Sequence, residues 1–271
     1  MAKRKKCSIP IKDAAGKEGM RAAGRTASEI LQEVIGFVQA GRSTLEVDEF
    51  AAGLMRARGC VSAFKGYRGF PAYTCISKNE EVVHGIGAAD NIIKEGDVLS
   101  VDVGIELNGW IGDNATTIPV GEIAEETKRL LAATEESLYQ AISFARDGVR
   151  LADLCASVDE YVRPKGFKVV REFVGHGVGS SLHEEPSVPN YRPVGRTPRL
   201  RPGMVLAIEP MVNAGTAKVK ILADKWTVIT QDRKPSAHYE HTVLVTEDEP
   251  EILTDRPRIA TPELLGLEMA L

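Results

Sequence analysis

Apolar residues recur at helical spacing in two stretches near the start of the chain. The first runs from Asp13 to Ala40 and ends at Gly41, a residue type that commonly closes a helix. The second opens on Ser43 and Glu46, whose separation has the form of a capping box, and it ends at Gly59. The pattern therefore predicts two consecutive helices.

Apolar runs after these helices predict strands at 73–76, 82–84 and 98–120. In the longest run, Asn108 and Gly109 separate two strand-like stretches, and this dipeptide is a strong signal for a two-residue hairpin turn. Such a turn pairs Asp102 with Ala115 and places Asp113 on the same face as Asp102. Diagonal neighbours of this kind are close enough for both carboxylates to reach a shared ion.

The same order of elements then repeats. The pattern predicts helices and then strands at 123–146, 151–162, 169–174, 205–209, 219–221, 227–230 and 239–246. Two rounds of helix, helix and strands predict a single α+β domain of two similar halves, about 12–120 and 121–254, with any site at their junction. A basic N-terminal tail (1–11) and a C-terminal tail (255–271) would flank the domain.

The composition narrows the functional class. The chain has 271 residues, of which 43% are apolar and 27% charged, as is typical of a globular protein and not of a disordered one. A net charge of −4 and a pI near 5.8 do not suit a DNA-binding protein, whose binding surface is basic. Four cysteines without a C-x-x-C pair argue against a zinc ribbon or a disulfide scaffold. No apolar run is long enough for a membrane span or a signal peptide, so we expect a cytoplasmic protein.

Carboxylates and histidines in strand-like segments point to metal chemistry. Asp102 lies in an apolar strand, where an unpaired carboxylate is costly, and His176 lies in Gly-His-Gly-Val-Gly. Glu209 ends one apolar run and Glu240 precedes another. Each of these residues alone is also consistent with an ordinary surface or structural position. Together with Asp113 they make a set of four carboxylates and one imidazole, which suits two divalent ions that activate water for hydrolysis.

Five groups of residues carry a resemblance to a known family. They are NEEVVHGI (79–86), DVLSVDVG (97–104) followed by Gly112-Asp113, GHGVG (175–179) with HEEP (183–186), IEPM (208–211) and SAHYEHT (236–242). In order and spacing they resemble type I methionine aminopeptidases, whose pita-bread fold has two pseudo-symmetric halves. The similarity covers roughly residues 12–254, and the short stretch between His176 and Glu209 favours type I.

The resemblance implies five metal ligands for two divalent ions, which could be cobalt, manganese, iron or zinc. Asp113 and Glu240 would bridge the ions. His176 and Glu209 would complete one site, and Asp102 the other. In the implied reaction a metal-bridged hydroxide attacks the carbonyl after the first methionine, with Glu209 as the proton shuttle and the second ion holding the free amino terminus.

The resemblance also implies which residues face the substrate. His84 and His183 would contact the scissile amide and stabilise the tetrahedral intermediate, so that they are catalytic residues together with Glu209. The expected substrates are N-terminal methionyl peptides and nascent chains with a small second residue, and the expected oligomeric state is a monomer. The methionine side chain would occupy an apolar pocket of Tyr67, Phe70, Cys75, His84 and Trp226, with Phe64 and Leu182 nearby.

Two positions depart from the commoner family pattern. Asn114 and Ala115 follow Asp113 where threonine is usual, and Leu182 stands where many relatives carry an aromatic residue. The first change removes a hydroxyl that could support a ligand, and the second would widen or soften the pocket. Neither change removes one of the five implied ligands.

Two other functions are compatible with the implied fold. Xaa-Pro dipeptidases and aminopeptidases share it, but they match only through the carboxyl-terminal half of a longer chain, and Met211 here replaces the glycine expected after Glu209-Pro210. A catalytically inactive RNA-binding or regulatory relative would have lost metal ligands, whereas all five positions are filled. The basic stretch Lys3–Lys6 either contacts ribosomal RNA weakly or is a solvated tail, and we prefer the solvated tail.

Overall fold

Four α-helices form in residues 9–267, the part of the chain that the computed structural model describes. They are α1 (Ala14–Phe37), α2 (Thr44–Ala57), α3 (Glu125–Ser143) and α4 (Leu151–Val162), with short 3₁₀ turns at Tyr67–Gly69 and Arg163–Lys165. The predicted helices are thus confirmed, although α1 ends a little before Ala40. The capping box of α2 is confirmed as well, because Ser43 and Glu46 each accept a hydrogen bond from the other's backbone N–H. None of the helices in these residues is long and apolar enough to cross a membrane.

Fifteen short strands in the same residues form four antiparallel sheets. They are β1 (Val61–Ser62), β2 (Cys75–Lys78), β3 (Glu81–Val83), β4 (Val98–Leu107), β5 (Trp110–Pro119), β6 (Lys168–Val169), β7 (Gly175–Gly177), β8 (Glu184–Val188), β9 (Val205–Ile208), β10 (Met211–Asn213), β11 (Val219–Ile221), β12 (Val228–Thr230), β13 (Ser236–His238), β14 (His241–Leu244) and β15 (Glu251–Ile252). The largest sheet has the order β15-β14-β9-β7-β8, and another has β1-β4-β2 with β5 paired to β4. The remaining sheets are β13-β10-β6 and β11-β12-β3.

The long hairpin of β4 and β5 forms as the sequence predicts. Asn108 and Gly109 make the turn with positive φ angles of 51° and 80°, the backbone conformation that this dipeptide favours. The ladder pairs Asp102 with Ala115. The predicted register is therefore confirmed.

Each round of two helices and strands builds its own apolar cluster. In one cluster α1 and α2 cover the hairpin, and Ile30 packs with Val101. In the other, α3 and α4 cover strands that include β9 and β13, and Leu130 and Val243 are both members of the cluster. The strands of the two clusters meet along β5, where the hydroxyl of Tyr239 donates to the carbonyl of Thr117 at 2.7 Å.

The chain that follows β15 lies against both clusters as far as residue 267. Arg256, only 7% exposed, donates to the carbonyls of Ala115 and Glu240. The N–H of Ala260 donates to the carboxylate of Glu135 on α3 at 2.9 Å. The basic stretch Lys3–Lys6 lies outside the described residues.

One predicted strand is wrong in extent. Of the stretch 169–174, only Val169 lies in a strand, and the residues after it have no regular structure. Their apolar side chains pack from a loop and not from a strand: Val170 packs with Met211, and Phe173 lines a cavity. A short apolar run does not by itself distinguish a strand from a buried loop.

Candidate active site

The two aspartates of the hairpin project from the face opposite α1. Gly112 approaches α1 so closely that a Cβ atom there would lie 2.3 Å from the carbonyl oxygen of Ala23. Because side chains alternate along a strand, the next residue, Asp113, points to the other face, which Asp102 shares. The sequence alone is also consistent with a surface position for Asp113. The residue is only 3% exposed, so that alternative is wrong.

The second round of elements brings His176, Glu209 and Glu240 to the same place. His176 lies on β7, Glu209 follows β9, and Glu240 joins β13 to β14. The ligating atoms of Asp113, His176 and Glu240 all lie within 4.8 Å of one another. The Nε2 atom of His176 is 3.5 Å from Oε1 of Glu209 and 3.9 Å from Oδ2 of Asp113. With Asp102 lining the same cavity, the five residues implied as metal ligands converge.

The backbone around His176 orients its ring. Nδ1 lies 2.9 Å from the carbonyl oxygen of Gly177, which can only accept, so Nδ1 carries the proton and Nε2 presents its lone pair to the carboxylates. The flanking glycines allow this arrangement. A Cβ atom at Gly175 would lie 2.4 Å from the carbonyl oxygen of Ala207, and one at Gly177 only 2.2 Å from that of Glu185. Close approach of neighbouring backbone therefore accounts for these glycines.

Burial raises the pKa of all four carboxyl groups. The pKa of Asp113 rises to about 7, while burial and the neighbouring carboxylates hold the pKa values of Asp102, Glu209 and Glu240 well above their usual range. The Oδ1 atoms of Asp102 and Asp113 are buried and have no hydrogen-bond partner. Divalent cations would supply the missing partners, and oxygen donors with one imidazole suit manganese, cobalt, iron or zinc. The residues therefore fit a metal centre.

A cavity of about 380 Å³ opens beside these donors, and all eleven residues singled out from the sequence line it. They are Tyr67, Phe70, Cys75, His84, Asp102, Asp113, His176, His183, Glu209, Trp226 and Glu240. In its apolar part the rings of Phe70 and Trp226 meet edge to face, with centroids 5.2 Å apart. Phe64 and Leu182 also line the cavity. An apolar pocket thus opens directly onto the carboxylate cluster.

Two histidines that are not among the implied ligands complete the polar side of the cavity. His84 has a φ angle of 60°, which is strained for a residue other than glycine, and its ring meets that of Phe173 edge to face at 5.4 Å. Burial lowers the pKa of His84 to about 4. His183 stacks on Tyr67 at 5.3 Å and lies tilted against the ring of His176 at 4.1 Å, and partial burial lowers its pKa too. Both rings are therefore neutral near pH 7 and can donate one hydrogen bond.

Cys75 and the two departures from the family pattern are all buried. Burial raises the pKa of the Cys75 thiol well above its ordinary value, which keeps the thiol protonated where it lines the cavity. Asn114 donates its side-chain amide to the carbonyl of Val103 at 3.1 Å. The backbone of Asp113 instead receives a hydroxyl contact from Thr242, on the other side of the junction.

His238 lies in the site, although its sequence context predicted no role for it. This residue is 2% exposed, and its Nε2 atom, which has no hydrogen-bond partner, lies 3.7 Å from Oε2 of Glu209. Alternation along SAHYEHT was the available signal, since it puts His238 on the same face as Glu240. His241 has a structural role instead and bonds to the Thr254 hydroxyl. The other cavity residues not singled out are Arg68, Val83, Glu172, Phe173, Val174 and Met211.

Known proteins match this chain over most of its length. The model of metallopeptidase family M24 matches residues 18–247. The chain belongs to metallopeptidase family M24. This M24 chain is 49% identical over 235 residues to methionine aminopeptidase 1 of Bacillus subtilis, a match that covers 87% of this chain and 94% of that protein. The resemblance drawn from the motifs is confirmed.

Two solved structures share the fold of this M24 protein. Methionine aminopeptidase from Thermotoga maritima matches with a TM-score of 0.90 and 43% identity over 92% of this chain and 100% of that one. Prolidase from Pyrococcus furiosus matches with a TM-score of 0.73 and 24% identity, over 92% of this chain but 66% of that one. The prolidase likeness shows the fold alone. The predicted pita-bread fold is therefore confirmed.

Proposed function

We propose that this M24 metallopeptidase is a methionine aminopeptidase, which removes the N-terminal methionine from peptides and nascent proteins. The observation that carries the proposal is one cavity in which five candidate metal ligands adjoin an apolar pocket. Relatives from Bacillus subtilis and Thermotoga maritima bear that name and are matched over at least nine-tenths of their own length. Convergence of all five donors argues against an inactive relative that acts only as a binding partner.

Two divalent ions, of cobalt, manganese, iron or zinc, are the proposed cofactors. Asp113 and Glu240 would bridge them, in support of which their carboxylate oxygens lie within 4.8 Å of each other and of the His176 nitrogen. His176 and Glu209 would complete one site, and Asp102 the other. Bound ions of this kind lower the pKa of water and polarise a carbonyl group, which is the chemistry that peptide hydrolysis needs.

Glu209 is the proposed proton shuttle. Its two carboxylate oxygens lie 3.5 Å from Nε2 of His176 and 3.7 Å from Nε2 of His238, so the group lies between two imidazole rings that line the cavity. From this position it would accept a proton from the attacking water and pass it to the leaving amine.

His84 and His183 are the proposed contacts to the scissile amide. Both line the cavity, and both are neutral near pH 7 because burial lowers their pKa values. A neutral imidazole N–H can donate a hydrogen bond to the oxygen on which negative charge develops, which stabilises the tetrahedral intermediate.

The proposed binding site for the methionine side chain is the apolar part of the cavity. Tyr67, Phe70 and Trp226 offer aromatic rings, and a thioether makes favourable contacts with such rings. Cys75 contributes a small, uncharged wall. We expect a preference for a small second residue, in line with the family resemblance.

The decisive experiment is methionine release from a Met-Ala-Ser peptide. The protein would be stripped with a chelator and then assayed with cobalt or manganese restored, beside Leu-Ala-Ser and Ala-Pro peptides. Metal-dependent cleavage of the methionyl peptide alone is the expected result. Cleavage of Ala-Pro alone would move the assignment to the proline-directed peptidases, whose fold is the same. If folded protein that binds metal cleaves none of the three peptides, the result would favour an inactive relative that acts as a binding partner.

We propose that the protein works in the cytoplasm as a monomer. The cysteines within residues 9–267, Cys60, Cys75 and Cys155, are free and buried, which fits a reducing compartment. A weak contact between Lys3–Lys6 and the ribosome is the alternative to a solvated tail. Co-sedimentation with ribosomes, with and without residues 1–6, tests it, and unchanged binding would eliminate the contact.

A further inference from the structure

The proposed chemistry gives no role to the glutamate that follows His183 in the HEEP motif. Its carboxylate forms an ion pair with Lys12, with Nζ 2.5 Å from Oε2 of Glu184 and with side chains only 6% and 12% exposed. The two residues are 172 positions apart in the chain. Breaking a buried ion pair leaves an uncompensated charge, so such a pair holds the two segments together.

Glu184 closes the turn that carries His183. While Oε2 accepts from Lys12, Oε1 accepts from the backbone N–H of Ser181 at 3.4 Å. One carboxylate therefore holds both sides of the short segment between Ser181 and Glu184. The His183 ring projects from this segment, stacks on the ring of Tyr67 and lies tilted against that of His176.

Lys12 fixes this turn to the framework of the site. Its backbone N–H donates to the carbonyl of Gly203 at 2.8 Å, and the next residue, Asp13, caps α1. The helix α1 packs on the hairpin that carries Asp113. The ammonium of Lys12 thus has a fixed position relative to the candidate metal ligands.

The third glycine of Gly-His-Gly-Val-Gly makes room for the pair. A Cβ atom at Gly179 would lie 2.3 Å from Nζ of Lys12 and 2.4 Å from Oε1 of Glu184. The carbonyl of Gly179 also accepts from the N–H of Ile111, on β5, at 2.9 Å. The turn is therefore tied to the hairpin by its backbone and to Lys12, just before α1, by the ion pair.

We propose that the Lys12–Glu184 ion pair positions His183 against the substrate. It is a positioning pair, because neither Lys12 nor Glu184 lines the candidate active-site cavity that His183 faces. The inference rests on the proposed aminopeptidase function and adds an ion pair that holds His183, one of its proposed catalytic histidines, in place.

The test measures kcat and KM for the Met-Ala-Ser peptide in Lys12→Met and in Glu184→Gln, which nearly preserve side-chain size. We expect kcat to fall by roughly tenfold to a hundredfold, as for a catalytic group displaced by about 1 Å. KM and the affinity for manganese, followed by titration calorimetry, should stay unchanged. The control is Arg21→Gln, which breaks a more exposed ion pair, between α1 and the distant residue Glu251, at 2.7 Å. The control should lower the melting temperature and leave kcat unchanged.

A double-mutant cycle shows whether the pair acts through His183. In a His183→Ala background, Lys12→Met should cause no further loss of kcat, because the group that it positions is already gone. An equal loss of kcat in both backgrounds, or an unchanged kcat in Lys12→Met and Glu184→Gln, would overturn the inference. The wild-type protein distinguishes the positioning role of the ion pair from the proposed function. If the wild type fails to cleave the peptide, the proposed aminopeptidase function is refuted.

Discussion

The hydroxyl of Thr242 donates to the backbone carbonyl of Asp113 at 2.7 Å and receives a hydrogen bond from its N–H at 3.3 Å. Thr242 lies on β14 and Asp113 on β5, so this contact crosses the junction between the two rounds of elements. Thr242 is fully buried, and it lies two residues after Glu240. The Thr242 side chain therefore links the backbone of Asp113 to β14. Asp113 is one proposed bridging ligand, and β14 directly follows the other, Glu240.

Thr242→Val should weaken metal binding. The substitution keeps the shape of the side chain but leaves the backbone N–H and carbonyl of Asp113 without this partner. Loss of such an outer contact typically costs about tenfold to a hundredfold in metal affinity, and titration calorimetry with manganese measures it. Thr242→Ser, which keeps the hydroxyl, is the matched control and should bind nearly as tightly as the wild type. Equal affinities for all three proteins would mean that the contact does not orient Asp113.

Asp113→Asn and Glu240→Gln should abolish activity and metal binding together, because each removes one proposed bridge at constant size. Metal that binds only the folded protein stabilises it by about 2.7 kcal/mol when the free ion is a hundredfold above Kd. Urea unfolding with and without manganese should show this increase in the wild type and lose it in both variants.

Glu81→Gln is the matched control for the two bridge variants. The Glu81 carboxyl accepts from the N–H of Lys78 at 2.8 Å, and burial raises its pKa, but the residue does not line the cavity. This variant should keep the metal-dependent increase in the free energy of unfolding. Retention of the increase by Asp113→Asn would remove that residue from the ligand set.

His84→Asn should lower kcat roughly a hundredfold, within the range for a lost catalytic hydrogen-bonding or proton-transferring group. Asparagine is the best replacement because it tolerates positive φ, and His84 has a φ angle of 60°. Metal content by elemental analysis should remain at the wild-type level. Loss of the metal would make His84 a ligand and contradict the role proposed for it.

Sequence reasoning succeeded where the decisive neighbours are close along the chain. The register that pairs Asp102 with Ala115 follows from one dipeptide turn and the alternation of side chains. The capping box of Ser43 and Glu46 is equally local. Both are fixed by backbone geometry within a few residues, so no knowledge of the tertiary structure was needed.

The features that were not predicted from the sequence depend on contacts between segments that are distant along the chain. The strand β7 was not predicted because Gly175 and Gly177 have low strand propensity, and only the approach of Ala207 and Glu185 explains them. His238 looked like an ordinary histidine until folding placed it 3.7 Å from Glu209. No local pattern indicates the approach of Ala207 and Glu185, and alternation along SAHYEHT indicates only the face on which His238 lies.

The two tryptophans of the chain allow a direct test of the pocket. Trp226 lines the cavity against Phe70, whereas Trp110 packs beneath α1, where a Cβ atom at Gly19 would lie 2.2 Å from its ring. Trp226→Ala should lower kcat/KM for Met-Ala-Ser by roughly tenfold to two-hundredfold, the range for lost apolar contacts to a substrate side chain. The loss should appear mainly in KM, since the proposed role of the ring is to bind the methionine side chain and not to transfer a proton, and manganese affinity should not change.

The wider pocket of Trp226→Ala should also relax specificity. Removing the indole opens space beside Phe70, so the ratio of kcat/KM for Met-Ala-Ser to that for Phe-Ala-Ser should fall along with the methionyl rate. Trp110→Ala is the matched control, and it should lower the free energy of unfolding, because the half-buried indole loses its packing against α1, while kcat/KM stays at the wild-type value. An unchanged specificity ratio in Trp226→Ala would place the methionine side chain elsewhere in the cavity, because a wall that touches the substrate cannot be removed without changing which side chains fit.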